Sequence, residues 1–135
     1  MIRTFLDSGV LLTAWKGKDR ALALRVMESP DREFVTGQMV RLELIPKAVY
    51  QKQSAEVRLY EAHFDTAKSE EPLSQELGSA SFALARKYGL AAADAIHIAA
   101  AIRLGAQEFV TSELPGKPIF RVAEIKVTAL QSGPG

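Results

Sequence analysis

Four carboxylates, Asp7, Glu43, Asp94 and Glu113, stand where solvated surface acids are not expected. Asp7 ends the apolar run Ile2 to Leu6. Glu43 interrupts Met39-Val40-Arg41-Leu42-Glu43-Leu44-Ile45, whose neighbours leave little purely solvated face. Asp94 falls in the first turn of Leu90 to Ile102, a stretch apolar around nearly its whole circumference that belongs inside the molecule. Glu113 comes two residues after Thr111, at the end of another apolar run. Clustered carboxylates repel one another and raise each other's pKa unless a cation neutralises them. Hard oxygen donors, in a chain with no cysteine and two histidines, favour Mg²⁺ or Mn²⁺ over zinc. Divalent ions held by carboxylates activate water, orient a phosphodiester and stabilise the leaving oxygen, so the chemistry indicated is phosphate-ester hydrolysis.

Each acid also has a plainer reading. Asp7 is placed to be the N-cap of the helix after it. Glu43 suits a partly solvated helix position, paired with Lys47 at i+4. Asp94 gains from the helix dipole, and Glu113 fits a solvated turn. His97 shares a helix face with Asp94, and a core histidine with a satisfied ring nitrogen is favoured there over a ligand. Ser8 and Thr111 flank the acids, with hydroxyls able to hold a water or to cap and close strand ends. Lys16, Lys18, Arg20, Arg41 and Lys47 either track a phosphate backbone or are solvated charges. Trp15, Tyr60 and Phe64 are read as core rather than as stacking platforms.

The elements that must position these groups follow from periodicity and punctuation. Ile2 to Leu6, Glu33 to Thr36 and Glu108 to Thr111 read as short strands, and Glu124 to Leu130 as an edge strand. Val10 to Trp15 reads as a short helix, and a second follows Asp19, its expected cap, up to the turn Ser29-Pro30-Asp31. Gln38 to Lys52 is helical in period, with Pro46 expected to kink or end it. Ser54 is expected to cap a helix over Ala55 to Lys68. Lys68 to Pro72 reads as a polar connection, Leu73 as the start of a short extended piece, and Gln75 to Tyr88 as a helix closed by Gly89. Ser112 to Lys117 is a turn and Pro118 to Phe120 a short strand. Strands alternating with helices indicate βαβ units, a mainly parallel sheet of four or five strands and helices on both faces. The functional crevice of such a sheet lies outside the carboxyl ends of its strands, where Asp7 and Glu113 belong.

Composition narrows the function further. A chain of 135 residues with 47% apolar and 24% charged residues is expected to form one globular domain over residues 1–130, with a disordered tail over 131–135. The absence of cysteine excludes disulfides, thiol catalysis and Cys-ligated zinc. Met1 to Leu6 carries no signal-peptide pattern and no apolar run reaches the roughly 18 residues of a membrane span, so the expected location is the cytoplasm. The net charge of +1, from 17 basic and 16 acidic residues, hides a more basic surface if several acids converge at one point. A phosphatase of the haloacid dehalogenase type would need a second aspartate where Gly9 stands, and there is no Walker loop or dinucleotide fingerprint.

Phe5-Leu6-Asp7-Ser8-Gly9-Val10-Leu11, the isolated Glu43 after Thr36-Gly37, Ala93-Asp94-Ala95-Ile96-His97-Ile98-Ala99 and Phe109-Val110-Thr111-Ser112-Glu113 resemble, in order and spacing, the PIN domain. The likeness covers nearly the entire chain and is nearest to the VapC-like toxin ribonucleases of toxin–antitoxin pairs. It implies an α/β/α sandwich and a Mg²⁺- or Mn²⁺-dependent endoribonuclease, often dimeric and inhibited by a cognate antitoxin. It makes Asp7, Glu43 and Asp94 metal ligands, with Glu113 at the place of a usual aspartate and one methylene longer. Gly9 replaces the Asn or Ser common two residues after the first acid. A catalytically silent PIN-like module that binds protein or RNA is the competing expectation. Gln38 to Lys52 and Ala55 to Lys68 are the expected groove for an antitoxin.

Overall fold

The sheet is built outward from its first strand. In the computed structural model, which describes residues 1–130, β1 (Ile2–Leu6) lies at the centre of five strands, all parallel. The chain first runs to one side, through β2 (Arg32–Gly37) to β3 (Glu70–Glu71). It then returns to the other side of β1 with β4 (Glu108–Thr111) and β5 (Lys126–Ala129), giving the order β3-β2-β1-β4-β5. The helices are α1 (Ser8–Trp15), α2 (Arg20–Met27), α3 (Gln38–Tyr50), α4 (Ser54–Thr66), α5 (Gln75–Tyr88) and α6 (Ala92–Arg103). This is the expected α/β architecture with a central parallel sheet. The expected tail, residues 131–135, lies outside the described residues.

Register is fixed by side chains as well as by the backbone ladder. Leu6 pairs with Val110 and Phe5 with both Val35 and Phe109. The Phe5 and Phe109 rings stack with centroids 5.5 Å apart beneath α6. Nearer the amino ends of the strands, Glu108 is buried; its Oε1 accepts from the Arg32 guanidinium at 2.6 Å and from the Thr4 hydroxyl at 2.9 Å. Burial works against the Glu108 charge, but Arg32 and Thr4 outweigh it and hold the carboxyl below its ordinary range. Three adjacent strands are thereby pinned at one end.

α6 carries its apolar girth into the core: Ala95, His97, Ile98, Ala99, Ala100 and Ala101 are buried. Gly89 and Gly105, which bracket the stretch, both adopt the left-handed conformation, with φ of 69° and 71°. At the second, Gly105 donates to the Ile102 carbonyl and Ala106 to that of Ala101, the double bond of a Schellman closure.

Four local expectations are corrected. Pro46 neither ends α3 nor marks a boundary; the helix runs through it to Tyr50. Ser54 is the first residue of α4 rather than its cap, because Gln53 occupies that place. The polar connection Lys68 to Pro72 contains β3, since Glu71 becomes buried and pairs with Arg103 on α6; the extended piece therefore precedes Leu73. Pro118–Arg121 forms a 3₁₀ turn in place of a strand, with proline at its start where its missing N–H costs nothing.

His63 on α4 is a buried, uncharged member of this core. Its ring meets Phe34 edge-on at 5.3 Å, and its Nε2 finds no partner among the described residues. Burial lowers it to about 4, whereas an unfolded histidine titrates near 6.5. Below 6.5 the unfolded chain therefore takes a proton that the folded one refuses, and stability falls as pH drops toward 4. The full difference corresponds to about 3 kcal/mol. Urea unfolding of His63→Leu should show a flatter loss of stability between pH 6.5 and 4 than the parent; an unchanged profile would refute this role.

Candidate functional site

The chain reverses direction across the sheet between β1 and β4, so the open crevice of a parallel sheet falls at their carboxyl ends. Asp7 follows β1 directly. Its N–H donates to the Val110 carbonyl at 2.9 Å, continuing the β1–β4 ladder one residue beyond the strand. It occupies the N-cap position of α1, yet its carboxylate makes no capping bond, which removes the plainer reading. Instead Oδ2 accepts from the Thr111 hydroxyl at 3.0 Å, and that hydroxyl in turn accepts from the Glu113 N–H at 3.1 Å. One threonine at the end of β4 thus fixes both the first acid and the turn that carries the last. Ser8 completes the surroundings at 3.4 Å from Oδ1.

The remaining acids arrive from helices. Glu43 on α3 faces α6, not Lys47: its Oε1 lies 2.5 Å from Nε2 of His97. The His97 ring is buried under Phe5, with Nε2 also 3.9 Å from Asp7 Oδ1 and Nδ1 unpartnered among the described residues. His97 is therefore both a core residue and the bridge between two acids from different elements. Asp94, one turn earlier on α6, is half-buried rather than enclosed; the carboxylate with almost no access to water is Asp7, 6% exposed.

Electrostatics mark the cluster. Burial pushes the Asp7 carboxyl above its ordinary range, against the pull of His97 and Thr111, and Glu43 adds to the rise. Asp94 is raised by burial and then by the charges of Asp7, Glu113 and Glu43, with His97 opposing. Glu43 is lowered, chiefly by its bond to His97. Neither Asp7 nor Asp94 has a lysine or arginine among these influences.

Among the described residues no three carboxylate or imidazole groups already surround one point. The donor chemistry nevertheless fits a hard divalent cation: oxygen ligands, like charges within reach of one another, and no lysine or arginine acting on Asp7 or Asp94. Glu43 would have to turn from His97 to join such a site.

Gly9 has a local cause that the sequence did not reveal. A Cβ there would lie 2.2 Å from the Ser112 hydroxyl oxygen, so Ser112 fills the space a side chain at position 9 would take. Two of the basic candidates prove to be structural: Arg41 makes a two-pronged pair with Glu70 over the Phe64 ring, and Arg20 donates to the Ala14 carbonyl. Tyr60 and Phe64 are core, as expected.

Among solved structures, a toxin–antitoxin complex from Klebsiella pneumoniae superposes with a TM-score of 0.70 at 20% identity, covering 95% of this chain and 98% of that one. A DNA-bound VapBC from Salmonella typhimurium gives 0.73 at 14% identity, over 97% and 100%. A VapC toxin of Mycobacterium tuberculosis, described as cleaving the sarcin–ricin loop, gives 0.66 at 16% identity, over 91% and 98%. These likenesses establish the fold. No curated protein sequence matches the chain. The family model for the PIN domain matches residues 4–113, well over half the length, and the chain belongs to the PIN-domain family.

Proposed function

We propose that the protein is a divalent-metal-dependent endoribonuclease, the toxin of a toxin–antitoxin pair. The observation that carries the reading is that Asp7, Glu113 and Glu43 all raise the pKa of Asp94, at the switch point of a PIN-domain sheet. A bound Mg²⁺ or Mn²⁺ would supply charge neutralisation, activation of water and stabilisation of the leaving oxygen. Asp7 and Asp94 would hold it, Glu43 after leaving His97, and Glu113 across its longer side chain. Thr111 keeps the Asp7 carboxylate in one orientation, and its second bond to the Glu113 N–H ties the turn to the same point. Ser8 stands beside Asp7, placed to orient a water. Burial around Asp7 excludes competing solvent and strengthens every charge interaction there.

An antitoxin partner is supported by the similar complexes from Klebsiella pneumoniae and Salmonella typhimurium. On this chain the expected α3–α4 region presents a cleft of about 470 Å³ that includes Val49, Val57 and Arg58, with Leu42 and Tyr50 exposed nearby. A homodimer and a cytoplasmic location belong to the same reading; no helix of the described residues is long and apolar enough to cross a membrane. The silent-module alternative draws on Glu113 in place of aspartate and on Glu43 being held by His97.

Incubation of single-stranded RNA with the protein and Mn²⁺ should yield cleavage that EDTA abolishes. Asp7→Asn and Asp94→Asn should each lower the rate by a factor on the order of 10²–10³, the scale of losing one charge-stabilising group. Cleavage persisting in both variants would defeat the proposal, and RNA binding without hydrolysis would select the silent module. Stability should move the other way. The folded surroundings raise the Asp94 pKa, through burial and then the charges of Asp7, Glu113 and Glu43, so folding of the metal-free protein disfavours its ionised form. Asp94→Asn should then raise the melting temperature by roughly 2–4 °C without metal. That gain should shrink or reverse when Mn²⁺ is added, because only the parent binds it.

A further inference from the structure

Glu43, with Ser8 beside Asp7, forms one wall of a cleft of about 230 Å³ between α1 and the α3–α4 turn. Two cations line it: Lys16, just after α1, and Lys47, one turn beyond Glu43 on α3. Neither makes an ion pair or a side-chain hydrogen bond among the described residues, unlike Arg20 and Arg41, which the fold itself occupies. At the far side lie Gln51, at the end of α3, and Glu56, in the first turn of α4.

Glu56 is the unusual member. It is only 8% exposed, yet its one hydrogen bond is from the Tyr60 hydroxyl to Oε2, at 2.5 Å; no donor from the described residues reaches Oε1. Glu56 thus lines the cleft with an oxygen whose acceptor capacity the fold leaves unused. Drug-sized ligands occupy clefts of roughly 300–1,000 Å³, so this one suits a smaller group such as a single nucleobase. Leu12 is also in the lining and offers it an apolar surface.

We propose that this cleft is a nucleotide subsite beside the scissile phosphate of an RNA substrate. Lys16 and Lys47 hold the neighbouring phosphate, while Glu56, with Gln51, selects a base that presents an amino group over uracil. An ionised carboxylate only accepts hydrogen bonds. Adenine, cytosine and guanine each offer it an amino group, whereas the pairing edge of uracil sets two carbonyl oxygens around a single N–H. The lysines contribute without regard to sequence, because phosphate contacts position and base contacts specify. This inference rests on the ribonuclease reading above.

Fluorescence anisotropy with labelled trinucleotides UUU, UAU, UCU and UGU tests it, in millimolar Ca²⁺ to neutralise the acids. The parent should bind the three amino-bearing sequences about tenfold or more tightly than UUU, the scale of one base-edge recognition. Glu56→Gln keeps an oxygen for Tyr60 but adds an amide donor, and should bring UUU level with the others. Lys16→Ala and Lys47→Ala should each weaken all four alike and lower the slope of log affinity against log salt by about 1. Should Glu56→Gln fail to fold, Gln51→Ala carries the same test by narrowing the preference. An unchanged base preference, or unchanged affinity in both lysine variants, overturns the subsite while leaving the ribonuclease reading intact. No RNA bound by the parent overturns both.

Discussion

A carboxyl group with almost no access to water, fixed at the end of the central strand, is the constraint on which the rest of the molecule turns. Asp7 cannot swing into solvent, since Thr111 holds one oxygen and the continuing β1–β4 ladder holds its backbone. Its charge is costly to keep in such surroundings without a counter-ion. Thr111 and His97 relieve part of that cost, but burial prevails and Glu43 adds to it, while Asp94 on α6 stands in turn among the charges of Asp7, Glu113 and Glu43.

The same sheet shows what the chain does when an acid serves stability alone. Toward its other end Glu108 is as thoroughly buried as Asp7, but Arg32 and Thr4 meet it and its carboxyl titrates below the ordinary range. Asp7, though it accepts from Thr111, and Asp94 have no arginine acting on them, and both lie above it. That contrast, an arginine meeting the buried carboxylate at one end of the strands and none meeting the two raised carboxyls at the other, is what supports the proposal of a cation at the second. His97 belongs to that arrangement, because its Nε2 faces Glu43 and Asp7 together and holds Glu43 against α6.

Much of this was legible in the sequence. Strand ends, the helix bracketed by Gly89 and Gly105, and the β4 boundaries follow from apolar periodicity and turn residues, which act locally. So did the placement of Asp7 and Glu113 at one end of a parallel sheet, a consequence of βαβ topology. Long-range pairings were not legible. Glu43 looked like a partner for Lys47 because i+4 spacing is visible, whereas the burial of His97 beneath Phe5 that draws Glu43 inward is not. β3 was hidden because two glutamates read as solvent-facing until Arg103, from a distant helix, is seen beside Glu71. Ser112 filling the space beside Gly9, and Glu56 facing a cleft, depend on loop and helix approach that no spacing rule encodes.

The central claim is that these acids form one divalent-cation site, and calorimetric titration with Mn²⁺ tests it most directly. The parent should bind Mn²⁺ with an affinity that falls as pH drops through the carboxylate range, since protons and metal compete for the same oxygens. Asp94→Asn should abolish the binding heat while the protein stays folded. Absence of binding at millimolar Mn²⁺, or binding unaltered by Asp94→Asn, would contradict the account.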